Sequence, residues 1–264
     1  MKMENQPNIN DLFNNAQNGG SLSSASRAAL KVSDIGEQIA AALGAPQIDA
    51  PSSEMILITM LVDDSGSINF GGNAESIRKG HNAVIDSLTH TPVKDSIMAH
   101  TCYLNGFILY PYNPVAKAVR MDKKNYRPSL GTPLYDQTVV VLGTVIAKAQ
   151  QFIDNGIPTR TVTLVMTDGG DCHSVKANAK TVARIVGDML KSENHIVAAM
   201  GVDDHSTDFR KVFRSMGIQD QWILTPGSSE QEIRQAFNIF SRSVVRASQH
   251  ASSFRSMSIG GFAA

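Results

Sequence analysis

Three short stretches of this sequence carry most of the residues able to do chemistry. Asp63-Asp64-Ser65-Gly66-Ser67 follows the apolar run Met55 to Val62. Gly131-Thr132-Pro133 precedes a long apolar segment, and Thr167-Asp168-Gly169-Gly170-Asp171-Cys172-His173 follows "TVTLVM". Among them Asp63, Ser65, Ser67, Thr132 and Asp168 offer carboxylates and hydroxyls, with almost no sulfur or imidazole nearby. Oxygen donors of this kind suit a hard cation, Mg2+ before Ca2+, with Mn2+ also admissible. Taken alone, Asp63 to Ser67 reads better as a turn or helix N-cap, in which Ser and Asp satisfy free backbone N–H groups. The metal reading therefore depends on the three stretches meeting in space.

Whether they meet is decided by the elements around them. From Glu54 onward, apolar runs alternate with amphipathic helical patterns. "MILITMLV", "TVTLVM", "HIVAAMGV" and "QWILTP" read as strands, the first of them apolar on both faces. "DSIMAHTCYLNG" and "FILYPYNP" read as two strands joined tightly through Asn105-Gly106, a hairpin signal. Helices are expected from about Ala74 to Leu88, from residue 134 to about Asn155, and around Val182, Phe209 and Phe237. The expected fold is α/β: a three-layer, doubly wound, Rossmann-like arrangement with a mostly parallel six-stranded sheet and one antiparallel edge strand. In such a sheet the loops after the parallel strands gather at one edge, where ligands bind. The three polar stretches are then brought to the same edge.

The flanks read differently. Residues 1–26 are rich in Asn, Ser and Gly and are expected to be a disordered tail. Residues 27–53 read as an amphipathic helix, with Val32, Ile35, Ile39 and Leu43 on one face, followed by a proline-bearing linker. An isolated helix of that length is marginal in water. It should therefore dock, and a contact with a partner or a second copy is preferred over its own domain. Residues 54–248 form the domain, and 249–264 are expected to be a flexible tail.

Bulk properties remove several function classes. Lys plus Arg equals Asp plus Glu at 24 each, so no net field favours nucleic acid or an anionic membrane. The two cysteines, Cys102 and Cys172, make no disulfide framework and no Cys-x-x-Cys pair. The first residues lack the apolar core of a signal peptide, and no stretch has the length of a membrane span. A cytoplasmic location is the expectation.

Asp63-x-Ser65-x-Ser67, Thr132 within Gly131-Thr132-Pro133-Leu134, and Asp168 within Thr167-Asp168-Gly169 together resemble the metal-ion-dependent adhesion site of von Willebrand factor A (vWA) domains. The resemblance covers roughly residues 54 to 248. It implies hydroxyl ligands from Ser65, Ser67 and Thr132, with Asp63 and Asp168 binding directly or through water. It also implies a sheet of five parallel strands and one short antiparallel strand. In this family the ion usually coordinates an Asp or Glu of another protein and the domain catalyses nothing, so no catalytic residue is expected. Intracellular prokaryotic or phage-type members often accompany AAA+ ATPases or stress-response systems, which makes such an ATPase, or self-assembly, an expected partner. Asn69, Phe70, Tyr126 and Arg127 are expected to rim the site. Asp171 and His173 could tune the metal from behind its ligands, although a surface loop explains them as well. Asp203, Asp204 and His205 read as a solvated loop or N-cap.

The rival reading is an enzyme, a Mg2+-dependent phosphatase or hydrolase of the haloacid dehalogenase type. Those enzymes also place an Asp after the first strand, but they need a second carboxylate two residues later. This chain has Ser65 there and so lacks the general acid.

Overall fold

The structure, a computed structural model, describes residues 8–30, 35–44, 54–70, 72–249 and 251–262. Three helices come first: α1 (Ile9–Asn18), α2 (Ser24–Ala29) and α3 (Ile35–Leu43). The alternating region follows as β1 (Met55–Val62), α4 (Gly66–Phe70), α5 (Ala74–Thr89), β2 (Ile97–Tyr103), β3 (Ile108–Pro114) and α6 (Leu134–Ile153). It continues through β4 (Thr159–Thr167), α7 (Ala179–Lys191), β5 (His195–Gly201), α8 (Phe209–Ser215) and β6 (Ile223–Leu224) to α9 (Glu230–Gln249) and α10 (Ala251–Gly260).

The sheet has the order β3-β2-β1-β4-β5-β6, with every pairing parallel except β2 with β3. That is the expected five parallel strands and one antiparallel edge strand. Every residue of β1, β2, β4 and β5 is buried, which is why these runs are apolar on both faces and show no alternation. The antiparallel turn falls at Asn105-Gly106, where Gly106 takes φ +84°, a value glycine reaches without strain. The strand read from "QWILTP" is only Ile223–Leu224, because the residues before it form a short 3-10 turn.

Helices flank the sheet in two groups: α6 with α7, and α5 with α9 and α10. Each presents an apolar stripe inward: Ile77, Val84, Ile85 and Leu88 on α5, and Val182, Ile185, Val186 and Met189 on α7. β1 is the switch point of the topology. The chain leaves it for β2 and β3 on one side, then returns to pair β4 on the other. Val62 lies beside Tyr103 of β2 and Met166 of β4, so the residues after β1 and β4 emerge side by side.

The flanks depart from the expectation. Residues 9–18, within the stretch expected to be disordered, form a helix capped by Asn8, whose side chain accepts the Asn10 N–H. Its few apolar residues fall on one face, and Leu12, Phe13 and Ala16 are buried. Leu22 and Leu30 are buried as well, while Ser23 and Asp188 tie α2 to α7 through a 2.8 Å hydrogen bond. Val32 lies outside the described residues, but Ile35, Ile39 and Leu43 of α3 are buried on the protein's own surface, against α6 and β3. The expected contact of this helix with a partner or second copy is thus replaced by docking in cis. Gly143 permits it: a Cβ there would lie 2.9 Å from Leu30 and 3.0 Å from Ile39. At the other end, residues 251–260 are helical, with Phe254 and Met257 buried and the Arg160 guanidinium over the Phe254 ring. Two apolar residues at helical spacing suffice to seat a segment whose average composition is polar.

Candidate metal centre

Asp63 follows β1 directly and is fully buried. Its N–H donates to the Met166 carbonyl at 3.1 Å, which carries the β1–β4 ladder one residue past the strand. One carboxylate oxygen accepts the Ser65 N–H at 2.7 Å and so closes the turn. The other accepts the Thr167 hydroxyl at 2.6 Å and the Asp168 N–H at 3.4 Å, binding the end of β4 to the end of β1. Part of what the spacing suggested as an N-cap is therefore present: Asp63 does organise a turn, and at the same time it joins two loops.

The polar atoms beyond it converge. The Ser67 hydroxyl donates to Asp168 Oδ1 at 2.7 Å, and the Ser65 and Ser67 hydroxyl oxygens lie 2.9 Å apart. Ser65 Oγ is 3.4 Å from the same Asp168 oxygen. An octahedral Mg2+ with bonds of roughly 2.0–2.1 Å requires neighbouring ligand oxygens about 2.9 Å apart. The oxygen donors present fit such an ion in chemistry, and the Ser65–Ser67 separation matches that spacing.

Thr132 arrives from a separate loop that is fastened to the others through its backbone. Gly66 N–H donates to the Leu130 carbonyl at 3.0 Å, and Ser129 N–H to the Asp64 carbonyl at 2.9 Å. Thr132 N–H donates to His173 Nδ1 at 2.9 Å, while its carbonyl accepts the Cys172 N–H at 3.2 Å. The structure thus joins Asp63, Ser65, Ser67 and Asp168 in one hydrogen-bonded group. It holds Thr132 beside them with no side-chain hydrogen bond to the four among the described residues.

Several residues around this group were not legible as part of it. Asp64 Oδ1 accepts both the backbone N–H and the side-chain amide of Asn105, at 3.2 and 2.7 Å, and the same amide donates to the Gly131 carbonyl at 3.0 Å. Asn105, marked in the sequence only as a turn residue, links the hairpin to both ligand loops. Asp171 accepts the Tyr135 N–H and the Ser174 hydroxyl, and Asp136 accepts the N–H groups of Val175, Lys176 and Ala177. His173 packs under Gly131, where a Cβ would sit 2.7 Å from the ring. Asp171 and His173 therefore act as clamps on the Thr132 loop. Tyr126, expected at the rim, is buried instead, and its hydroxyl donates to the Asp63 carbonyl at 2.5 Å. A tyrosine can bury its ring when its hydroxyl finds such an acceptor. Asn69 and Arg127 are exposed, as a rim requires, and the Phe70 side chain lies outside the described residues. Asp204 accepts the N–H groups of Ser206 and Thr207, the local capping expected of that loop.

The electrostatics are unbalanced. Burial pushes the Asp168 carboxyl up to about 6, against the hydrogen bond from Ser67, and the nearby Asp63 charge pushes it the same way. Burial also raises Asp64, opposed by its bonds from Asn105. Among the described residues no ion pair reaches Asp63, Asp64 or Asp168. Nor do the described residues anywhere gather three His, Cys, Asp or Glu side chains around a point, so an ion held here would depend on hydroxyl oxygens as well as carboxylates. No described helix is long and apolar enough to cross a membrane.

No family model and no curated protein matches the sequence. Solved structures do. The pilus adhesin SpaC of Lactobacillus rhamnosus GG superposes with a TM-score of 0.53 at 13% identity, over 73% of this chain and 30% of that one. The von Willebrand factor domain of the type V pili tip protein of Porphyromonas gingivalis gives 0.52 at 9% identity, over 76% of this chain and 98% of that one. Proximal thread matrix protein 1 of the mussel byssus, with a zinc-occupied MIDAS motif, gives 0.50 at 16% identity, over 73% and 46%. The chain thus spans less than half the length of the adhesin and the thread protein, and about the whole of the pilus tip domain. At these identities what is shared is the fold, and the fold is of the vWA type.

Proposed function

We propose that this chain is a non-enzymatic protein-interaction module. It holds a divalent cation, Mg2+ in preference to Mn2+ or Ca2+, on Asp63, Ser65, Ser67, Thr132 and Asp168, and through it binds an Asp or Glu of a partner protein. The observation that carries this reading is the pair of buried carboxylates, Asp63 and Asp168, set beside two convergent hydroxyls with no ion pair to balance them among the described residues. Buried charges are normally paired or metal-bound. The bound ion would supply positive charge and a coordination position for an incoming carboxylate. Three hydroxyl ligands bring no charge of their own, so an acidic partner group gains more there than a neutral one, in a setting partly shielded from water.

The zinc-occupied motif of the mussel thread protein supports a metal role by analogy of fold. The vWA resemblance extends the proposal to a cytoplasmic assembly factor, with an AAA+ ATPase of a stress-response system as the partner class. The phosphatase reading lacks its second acid: Ser65 stands where that group is needed, and its hydroxyl is engaged with Ser67. Calorimetry of Mg2+ binding, with Asp63→Ala as control, tests the metal. Capture of partners from the native host in Mg2+ and in EDTA tests the bridge. Undiminished Mg2+ binding by the mutant would show the ligand assignment to be wrong, and turnover of p-nitrophenyl phosphate with Mg2+ would favour the enzyme.

A further inference from the structure

A cavity of about 440 Å³ lies between the N-terminal helices and the body of the domain. Ala25, Ala29 and Ile35 of α2 and α3 form one wall, and Val139 and Val140 of α6 face them. Its size is that of a site for a small ligand or an inserted side chain. The polar end is formed by residues already engaged with the candidate metal loops. Asn105 lines the cavity and also holds Asp64 and Gly131, while Pro133, directly after Thr132, lines it too. The cavity therefore borders the Thr132 loop and its clamp directly.

Exposed apolar residues stand next to both the cavity lining and the ligand loops in sequence. Of the six large exposed hydrophobic residues among those described, three sit on the loops of this edge: Phe107 at 57% exposure, Leu130 at 58% and Val175 at 86%. Phe107 follows Gly106 and Val175 precedes Lys176, both of which line the cavity, and Leu130 is bridged to Ser65. Apolar exposure concentrated beside a polar site marks a protein contact. Arg184, on the cavity wall, forms no ion pair among the described residues and favours an acidic over a basic partner.

We infer that the cavity is a second anchor point of the partner-binding surface. The partner is a protein loop or extended segment that presents one Asp or Glu to the metal loops and, at a fixed spacing from it, one aliphatic side chain that enters the cavity across the Phe107–Leu130–Val175 rim. This rests on the metal-bridge reading and adds to it what the partner must carry besides an acid. The wall built by α2 and α3 then has a binding role as well as a packing one.

The test selects a displayed random peptide library on the full chain in Mg2+, with elution by EDTA, and measures the affinities of selected peptides. Ala29→Phe fills the cavity from its half-buried wall, and Ala25→Phe fills it from a more exposed position and keeps the test open if the first variant folds poorly. Melting curves and Mg2+ calorimetry accompany both. The expected result is a motif with an acid and an aliphatic residue at constant spacing, whose peptides bind a filled variant about tenfold more weakly at unchanged Mg2+ affinity. Peptides with an acid and no aliphatic preference, or equal binding by folded filled variants, overturn the inference and leave the metal bridge standing. Recovery of no EDTA-sensitive peptide by a protein that binds Mg2+ overturns the inference and counts against the bridge as well, leaving only the metal site. Absence of Mg2+ binding in the unmodified chain overturns the underlying reading itself.

Discussion

Replacing Asp168 by Asn should stabilise the metal-free protein and remove its response to Mg2+. The folded-state pKa of Asp168 is raised from 3.8 to about 6 by burial, so ionising it inside the fold is unfavourable. A raised pKa contributes stability that is fully present below pH 3.8 and lost as pH rises through about 6. Above pH 7 the whole cost is present. Two pH units correspond to about 3 kcal/mol, and allowing for water at a sheet edge about 2 kcal/mol is expected. Asn keeps an oxygen able to accept the Ser67 hydroxyl while removing the charge. Urea unfolding in EDTA should therefore show Asp168→Asn more stable than the parent by about 2 kcal/mol at pH 7.5, with the difference shrinking to about a third of that at pH 4.5. In Mg2+ the order should reverse: a ligand at 100 times its Kd adds about 2.7 kcal/mol to the parent and little to the variant. A metal-free variant less stable than the parent at pH 7.5 would refute the electrostatic argument. Equal Mg2+ stabilisation of both proteins would refute the assignment of Asp168 to the site.

Further outcomes follow from other parts of the structure. His81, His100 and His195 are buried, and burial depresses each to about 4; their stabilising effect is present above pH 6.5 and lost as pH falls through 4, on the order of 3 kcal/mol each. In unfolding free energies measured from pH 7.5 to 4.5, the three histidines together should contribute a falling slope of up to three protons, Asp168 offsets about one of these, and His100→Gln should reduce the net slope by about one. His173→Ala should weaken Mg2+ binding roughly tenfold with little change in melting temperature, because it frees the Thr132 N–H without opening the core; calorimetry beside a melting curve checks both halves. Gly143→Val should push Leu30 and α3 away from α6 at a cost of about 1–3 kcal/mol, read as faster proteolysis within residues 8–44.

The sheet and the ligand loops were legible because their signals are local and dense. The run Met55 to Val62 before Asp63, apolar except for Thr59, and "TVTLVM" before Thr167-Asp168 mark strands whose ends lie together in a doubly wound sheet. Of the clamps, His173 was readable as a residue acting from behind the ligands, but Asn105 and Asp136 were not, because they hold groups of loops distant in sequence, and no spacing rule predicts such pairs. Tyr126 was misplaced for a related reason: the sequence marks an aromatic residue in a polar loop, and only the fold supplies the Asp63 carbonyl that lets it turn inward.

The N-terminal helices fail a compositional reading because average hydrophobicity ignores which face the apolar residues share. Between residues 9 and 30, Leu12, Phe13, Leu22 and Leu30 are few enough to be outweighed by Asn and Ser, yet all four are buried. A second signal for them lies elsewhere, in α6. Seventeen of its twenty residues are buried, including Lys148, whose ammonium donates to Gln151 and which burial lowers to about 8. A helix packed only on a sheet keeps one polar face in water. "TVVVLGTVIAKAQ" has no continuous polar face, so something beyond the sheet had to cover its outer side, and α1 and α3 are that cover. The same reasoning bears on function. Of these, α3 also walls the cavity beside Asn105, together with α2, whose first residues fall in the stretch that composition assigns to disorder, so that stretch is placed where it can shape what the metal loops bind.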